Sequence, residues 1–289
     1  NGKMGYRVFT DSCSDLPQSY GRERHFDIIP MIYRIDDTDY LDDGSMSSHE
    51  YYEKIRGGSW STTAQITSAR FEEIFAPVLE GREDILYIAF SSALSGTYHS
   101  GMVAKEELEA KFPGRKVLVA DSKCASMGEG LLVEYVLNNR DAGMSLKENF
   151  DWVEKNKGRF CHWFTVADLN HLKRGGRVSA AAAFLGTMLS IKPVLHVDDE
   201  GRLIPMEKAK GRAKSIRALL EHMKATAIEP EKQVIFISHG DAPEEAEGLA
   251  QMVRDTFGCK EVRVGNIGPV IGAHSGPGTI ALFFVGSPR

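Results

Sequence analysis

Cysteine, long apolar runs, excess positive charge and the familiar catalytic signatures are what this sequence has least of, and each absence closes a class of function. Its four cysteines, Cys13, Cys124, Cys161 and Cys259, stand far apart with no C-x-x-C pair, so neither a zinc site nor a thioredoxin-like redox motif is supported. Buried free thiols are expected. The most apolar stretch, residues 180–189, is far short of the roughly 20 residues that cross a bilayer. Nothing near Asn1 reads as a signal peptide, and Asn1, Gly2 and Lys3 precede Met4, the candidate native start. A cytoplasmic location is expected. Lys and Arg number 35 against 40 Asp and Glu, a net charge of -5, which offers no basic surface to nucleic acid or anionic lipid. Nine histidines are scattered without ligand spacing, so no metal is expected. Walker A, H-E-x-x-H and G-x-S-x-G sequences are absent. Gly276, Gly278 and Ala281 fit G-x-G-x-x-A, but they lead into a strand-like run that leaves no room for a dinucleotide fold.

What remains is an ordinary globular composition, 42% hydrophobic and 26% charged over 289 residues. At roughly 100 to 200 residues per domain this suggests two domains, each able to bury a core of its own. The first half alternates β-rich runs at residues 6–11, 27–33, 85–90 and 116–121 with helical patterns, the grammar of parallel strands joined by crossover helices. Phe71, Ile74, Phe75 and Val78 mark one helix face, and Ala104, Leu108 and Phe112 another. Asp15 is a cap candidate, with Pro17 suited to a first helical turn. Residues 141–159 carry few large apolar groups and include Gly143 and Gly158, which suggests a boundary: residues 1–158 as a parallel α/β domain, 159–289 as a mixed one. In the second half, residues 192–207 read as an antiparallel hairpin turning at Asp199-Glu200-Gly201. Two amphipathic helices and strands at 234–238, 261–264 and 279–285 complete it.

Three first-half strands end in Thr10-Asp11-Ser12, Ser91-Ser92 to Ser95, and Asp121-Ser122. In a parallel sheet these carboxyl ends share one edge, where ligands bind. Asp11 and Asp121 read equally as helix caps and as ligand contacts. Ser95, at a strand-to-helix turn with Gly96 permitting close backbone approach, suits a carboxylate or phosphate, although a plain cap explains it too. Two further segments are dense in hydrogen-bonding groups: "WSTTAQITSARF" with Thr62 and Thr63, and "IGPVIGAHSGPGTIALFF", where glycines and prolines around His274 predict an unusual loop. Composition and spacing alone reach a two-domain α/β protein that binds a small anion.

Taken in order, "VFTDSCSDLP", "TTAQIT", "SSALSGTYHSG", "VADSKCASMGEG", "LKRGGRVS", "LGTMLSIKPVL", "KAKGRAKSI" and the terminal glycine-rich segment resemble the DegV family, bacterial fatty-acid-binding proteins that serve as the FakB subunit of fatty acid kinase. The resemblance implies a parallel α/β domain, a mixed α/β domain and a lipid site between them. It further implies one long-chain fatty acid whose carboxylate is held by hydroxyls and a histidine: Thr63 matches the signature threonine, Ser95 the serine of L-S-G-T-Y, with Gly96 beside it, and His274 the histidine of G-A-H. Arg177, with Lys173 and Arg174, is implied to face the kinase. Phe184, Leu185 and Met188 are expected to wall the tail. No cofactor is implied on this chain; ATP and magnesium belong to a separate kinase subunit, which makes an acyl phosphate for phospholipid synthesis.

Two departures stand out. Ala64 and Ile66 replace the serine and proline of the family's T-S-Q-P-S, which leaves the backbone path around Thr63 open; Thr63 is preferred over Thr62. Two other readings stay in view. One is an acyl hydrolase with Ser95 or Thr63 as nucleophile and His274 as base, which lacks a recognisable orienting acid. The other is a lipid-sensing regulatory protein.

Overall fold

The computed structural model describes residues 5–178 and 190–289. Phe184, Leu185 and Met188 lie outside the described residues. Strands β1 (Tyr6–Asp11), β2 (Asp27–Ile29), β6 (Asp84–Ala89) and β7 (Val117–Asp121) form a four-stranded parallel sheet in the order β2-β1-β6-β7. Helices α3 (Ser68–Glu80) and α4 (Thr97–Lys111) pack on each other and onto β6 and β7 respectively. The start of α3 is fixed by Thr67, whose hydroxyl accepts the Arg70 N–H, and its inner face buries Phe71, Phe75, Val78 and Leu79.

Pro30 breaks the single strand expected over residues 27–33. It has no N–H to give a ladder, so β2 stops at Ile29 and β3 (Ile32–Ile35) starts a separate antiparallel sheet with β4 (Thr38–Leu41) and β5 (Ser61–Ala64), in the order β4-β3-β5. Helix α2 (Ser48–Arg56) joins β4 to β5. Asp15 does not cap α1 (Gln18–Arg24), which begins after Pro17 without a side-chain cap. Its carboxylate instead accepts from the Gly268 N–H at 2.9 Å and the Ser126 hydroxyl at 2.6 Å, tying the two halves together.

In the second half, β8 (Phe160–Thr165), β9 (Ile191–Val197), β10 (Leu203–Lys210), β11 (Val234–His239), β12 (Glu261–Asn266) and β13 (Ile280–Val285) form one mixed sheet, ordered β10-β9-β8-β13-β11-β12. The β9–β10 hairpin is antiparallel, with a bulge between Pro205 and Glu207 that carries β10 three residues past Glu207, where the sequence reading ended it. Helices α8 (Arg212–Thr226) and α9 (Pro243–Phe257) cover one face. The apolar-poor stretch before β8 contains α6 (Leu146–Asn156), started by a reciprocal Ser145–Glu148 capping box and buried at Val153 and Asn149.

Helix α5 (Met127–Asp141) holds the two sheets face to face. It shows no amphipathic stripe because it is buried on nearly every side, touching β6 on one flank and β8, β11 and β13 on the other. Gly128 and Gly130 permit this approach: a Cβ on Gly128 would lie 2.1 Å from the His162 ring, and one on Gly130 2.7 Å from the Ser14 carbonyl. One apolar core therefore runs through both halves, from Val8, Leu86 and Leu132 to Phe164, Phe236 and Phe283. Among the described residues, only the far face of the mixed sheet, under α8 and α9, has a separate core. A boundary near residue 158 divides the strands of the two large sheets, but the core crosses it.

At the first turn of α5, Glu129 meets Asp11 from the end of β1, both fully buried. Asp11 accepts from the Tyr87 hydroxyl at 2.5 Å and from the N–H groups of Phe90 and Cys13; Glu129 accepts from the Thr10 hydroxyl at 2.8 Å. Burial, and then the charge of Asp11, push the Glu129 carboxyl well above the usual range, so the pair keeps one proton and carries one charge. Folding therefore takes up a proton, and this contribution to stability is complete below the unfolded glutamate pKa of about 4.5 and is lost as pH rises towards the folded value. We predict that Glu129→Gln, which keeps a neutral donor facing Asp11, flattens the fall of stability as pH rises above about 4.5, by up to ~1.4 kcal/mol per pH unit. Denaturant melts of both proteins across that range test this; an unchanged slope would show that the pair does not hold the proton.

Candidate functional site

A slot opens between the halves, walled by Phe90, Leu94 and Ala125 from the first and by Phe164, Ala281 and Phe283 from the second. The slot is narrow, a cavity of about 70 Å³. Strand alternation builds the wall. Along β13, Ala281 and Phe283 face the slot while Ile280, Leu282 and Phe284 face the α8–α9 core. On the neighbouring β8, Phe164 and His162 stand opposite them in register. Sequence reasoning missed His162, Phe164 and Phe283, because β8 and β13 are apolar on both faces and carry no alternation that marks one side.

His162 adds no polarity to the slot. Its Nε2 accepts the Ala125 N–H at 3.1 Å and its Nδ1–H donates to the Phe160 carbonyl at 2.9 Å. Burial holds the ring neutral, well below the usual histidine range, and it meets Phe283 edge-on at 5.2 Å.

At one end of the slot the apolar wall gives way to His274. The segment around it is a short helix, α10 (Pro269–Ser275), rather than the loop expected from its glycines. Pro269 suits the first helical position, and Gly272 lets the helix pack on Tyr52, whose hydroxyl would lie 2.4 Å from a Cβ there and donates to the Ile267 carbonyl at 2.8 Å. The small sheet brings Thr63 to the same place. Thr63 pairs with Tyr33 across β5 and β3, and its Oγ1 lies 3.2 Å from His274 Nε2; Thr62, one residue earlier, is exposed. The opposite edge of the ring, Nδ1, is buried, has no hydrogen-bond partner among the described residues and sits over Gly175 from α7 (Asn170–Gly175), where a Cβ would come within 2.3 Å. Burial, and then the charge of Arg177, push the His274 pKa down to about 4.

Ser95 and Gly96 stand beside Leu94 of the slot wall but make no hydrogen bond to Thr63 or His274. The Ser95 hydroxyl accepts the Thr97 N–H at 3.1 Å and donates to the Thr97 hydroxyl at 2.9 Å. Gly96 has a packing reason to be glycine, since the Gln65 amide occupies the space a Cβ would need, 2.1 Å away. Arg177 is exposed yet lines the slot mouth, donating from Nε to the Leu94 carbonyl at 3.2 Å. Arg174 lies 4.2 Å over the exposed ring of Trp60.

The other polar strand ends are spent inside the protein. Asp121 accepts from the N–H groups of Ser92 and Lys123 and from the Ser92 hydroxyl, and Ser91 donates to the Gly201 carbonyl at 2.8 Å, pinning the β9–β10 hairpin. Among the described residues, His49, Glu53 and Asp241 bring metal-ligand atoms within 4.8 Å of one another. Arg56 donates to both Glu53 and Asp241, so the cluster serves as an ion-pair lock between α2 and the loop after β11.

A neutral His274 follows from this geometry. In lipid-free protein its imidazole should stay uncharged down to about pH 5, and replacing Arg177 with Gln should move its midpoint upward by removing a nearby positive charge. Nitrogen-15 NMR titration of the ring reads both; a midpoint near 6.5 in the unaltered protein would contradict the buried site.

Similarity to known proteins agrees with the fold. The family model described as "Uncharacterised protein, DegV family COG1307" matches residues 6–287. A DegV domain-containing protein of Clostridium perfringens is 44% identical over 98% of both chains, and another from Lactococcus lactis is 36% identical over the same shares. Among solved structures, a DegV family protein from Thermus thermophilus described by its fatty acid binding superposes with a TM-score of 0.88 at 31% identity, covering 96% of this chain and 98% of its own. DegV of Bacillus subtilis, described as a fatty acid binding protein, gives a TM-score of 0.85 at 25% identity over 97% and 98%. With its parallel sheet, its mixed sheet and a family match over nearly its whole length, the chain belongs to the DegV family.

Proposed function

We propose that this protein binds one long-chain fatty acid, tail in the slot and carboxylate at Thr63, His274 and Ser95, and presents that carboxylate to a separate ATP-dependent kinase subunit that forms the acyl phosphate. The observation that carries the reading is the narrow apolar slot ending at the Thr63–His274 pair. Burying a tail at ~0.8 kcal/mol per methylene gives on the order of 10 kcal/mol before binding entropy is subtracted, so the tail dominates affinity. The polar end sets orientation. If His274 donates from Nε2 to Thr63 Oγ1, the Thr63 proton is free for a carboxylate oxygen, while the bare Nδ1 feels the Arg177 cation. The kinase supplies nucleotide and magnesium; this chain's residues bind, orient and keep the tail from water. Arg177, at the mouth with Arg174 and Trp60, is where a partner meets the head group.

The same hydroxyl–imidazole contact would serve a hydrolase. A nucleophile's base needs an orienting acid on its other nitrogen, whereas Nδ1 of His274 faces Gly175 unpaired, which favours binding over hydrolysis.

Organic extracts of the purified protein should contain a long-chain fatty acid by mass spectrometry. Delipidated protein should bind oleate; Thr63→Ala should lose about tenfold to a hundredfold in affinity, the worth of one charge-assisted hydrogen bond, and His274→Ala, which removes the donor that frees the Thr63 proton, should weaken binding in the same direction. Lipid-free extracts with no oleate binding would refute the reading, and ester hydrolysis abolished by these substitutions with oleate affinity intact would select the hydrolase.

A further inference from the structure

Strand register orders the residues of the slot by depth. At the His274 end, Thr279 donates to the carbonyl of Ser275, the residue after His274, at 3.1 Å. From there along β13 the slot is lined by Thr279, Ala281 and then Phe283, with Phe164 opposite Ala281 and His162 opposite Phe283 on β8. The next residues on the same face, Val285 and Phe160, are also paired in register but do not line it. Among the described residues, this wall of the slot ends at the row of His162 and Phe283.

His162 fills that row from sheet to helix. Its ring rises from β8 to the chain that opens α5, where Nε2 accepts the Ala125 N–H at 3.1 Å and a Cβ on Gly128 would lie 2.1 Å from the same atom. No methylene fits between them. An amide nitrogen can only donate, so the ring proton sits on Nδ1 and is given to the Phe160 carbonyl at 2.9 Å. That carbonyl also accepts from Nε of the buried Arg289 at 2.9 Å, which fixes it from behind. Phe283 meets the imidazole edge-on at 5.2 Å. Beyond them Phe160 packs edge-on against Tyr135 of α5 at 5.3 Å and Trp152 of α6 at 6.4 Å, so the space past this row is taken by rings.

We propose that the His162–Phe283 pair is the floor of the slot and sets the longest acyl chain the protein accepts; this rests on the reading of the slot as a tail site. A tail entering from the His274 end gains contact with each methylene until its methyl end meets the imidazole. A longer chain must displace a ring held by two hydrogen bonds or draw its carboxylate away from Thr63. Removing either ring extends the slot towards Phe160, one same-face position further and about 6–7 Å along the strand.

The test measures affinity of the delipidated full chain for saturated fatty acids rising in two-carbon steps from laurate to behenate. In the unaltered protein affinity should climb by up to about fourfold per methylene and then break, levelling or falling, at one length. In His162→Ala the break should move to a longer acid, and the first acid past the original break should bind about tenfold tighter than it does to the unaltered protein. Acids shorter than the break should bind both alike. Phe283→Leu, which touches no side-chain hydrogen bond, should move the break in the same direction, and it carries the test should His162→Ala fail to fold. A break at the same length in the variants, uniform weakening at every length, or a steady climb without a break in the unaltered protein would overturn the inference. Failure of the underlying reading looks different: the unaltered protein would then bind no acid of any length, and the floor would fall with it.

Discussion

The burial of helix α5 between two sheets is the constraint on which the rest of this structure depends. A helix buried on nearly every side needs glycine wherever a wall comes too close, and α5 has it, with Gly128 against His162 and Gly130 against the Ser14 carbonyl. By fixing the spacing of the sheets it leaves a narrow gap beyond its own N-terminus, at Ala125 and Ser126, and that gap is the slot. Ser126 holds a left-handed φ of 53°, a conformation that costs of order 1–3 kcal/mol for a non-glycine residue. Its hydroxyl bonds to Asp15 and Ser238 offset that strain while stitching α5 to both halves. The slot is thus a by-product of how the two sheets must face each other, and its walls are ordinary core residues.

Polarity is confined to one end by the same economy. Wherever a buried polar group borders the slot away from that end it is already satisfied, as with both nitrogens of His162, so a hydrocarbon meets only carbon there. At the other end satisfaction is incomplete: His274 Nδ1 has no partner among the described residues. An apolar gap with unfinished hydrogen bonding at a single end suits an amphiphile with a small head group, the class of ligand proposed above.

Much of this was legible in the sequence, for reasons that differ by element. Short apolar runs bounded by polar turns gave β1, β6 and β7 nearly to the residue, because buried parallel strands carry that signature regardless of context. Helix α5 was invisible to periodicity since it has no wet face, and β4 and β5, "TDYL" and "STTA", are too short and polar to register. Pro30 was present in the run that was read as one strand, and its missing N–H was the cue to split it. Thr63 and His274, more than two hundred residues apart, were reached from hydrogen-bonding density and from family resemblance, but their contact depends on the small sheet and on α10, neither of which leaves a local trace. Asp11 and Asp121 were ambiguous between cap and ligand, and only the surrounding N–H donors decide it, since a carboxylate already holding two or three bonds has little left for a ligand.

The most direct measurement of the central claim is a crystal structure of the protein saturated with oleate. The account predicts a single acyl chain running along Phe164, Ala281 and Phe283, with its carboxylate within hydrogen-bond distance of Thr63 and Ser95 at the His274 end. A chain bound outside the slot, or one inserted with its carboxylate at the His162 end, would contradict it.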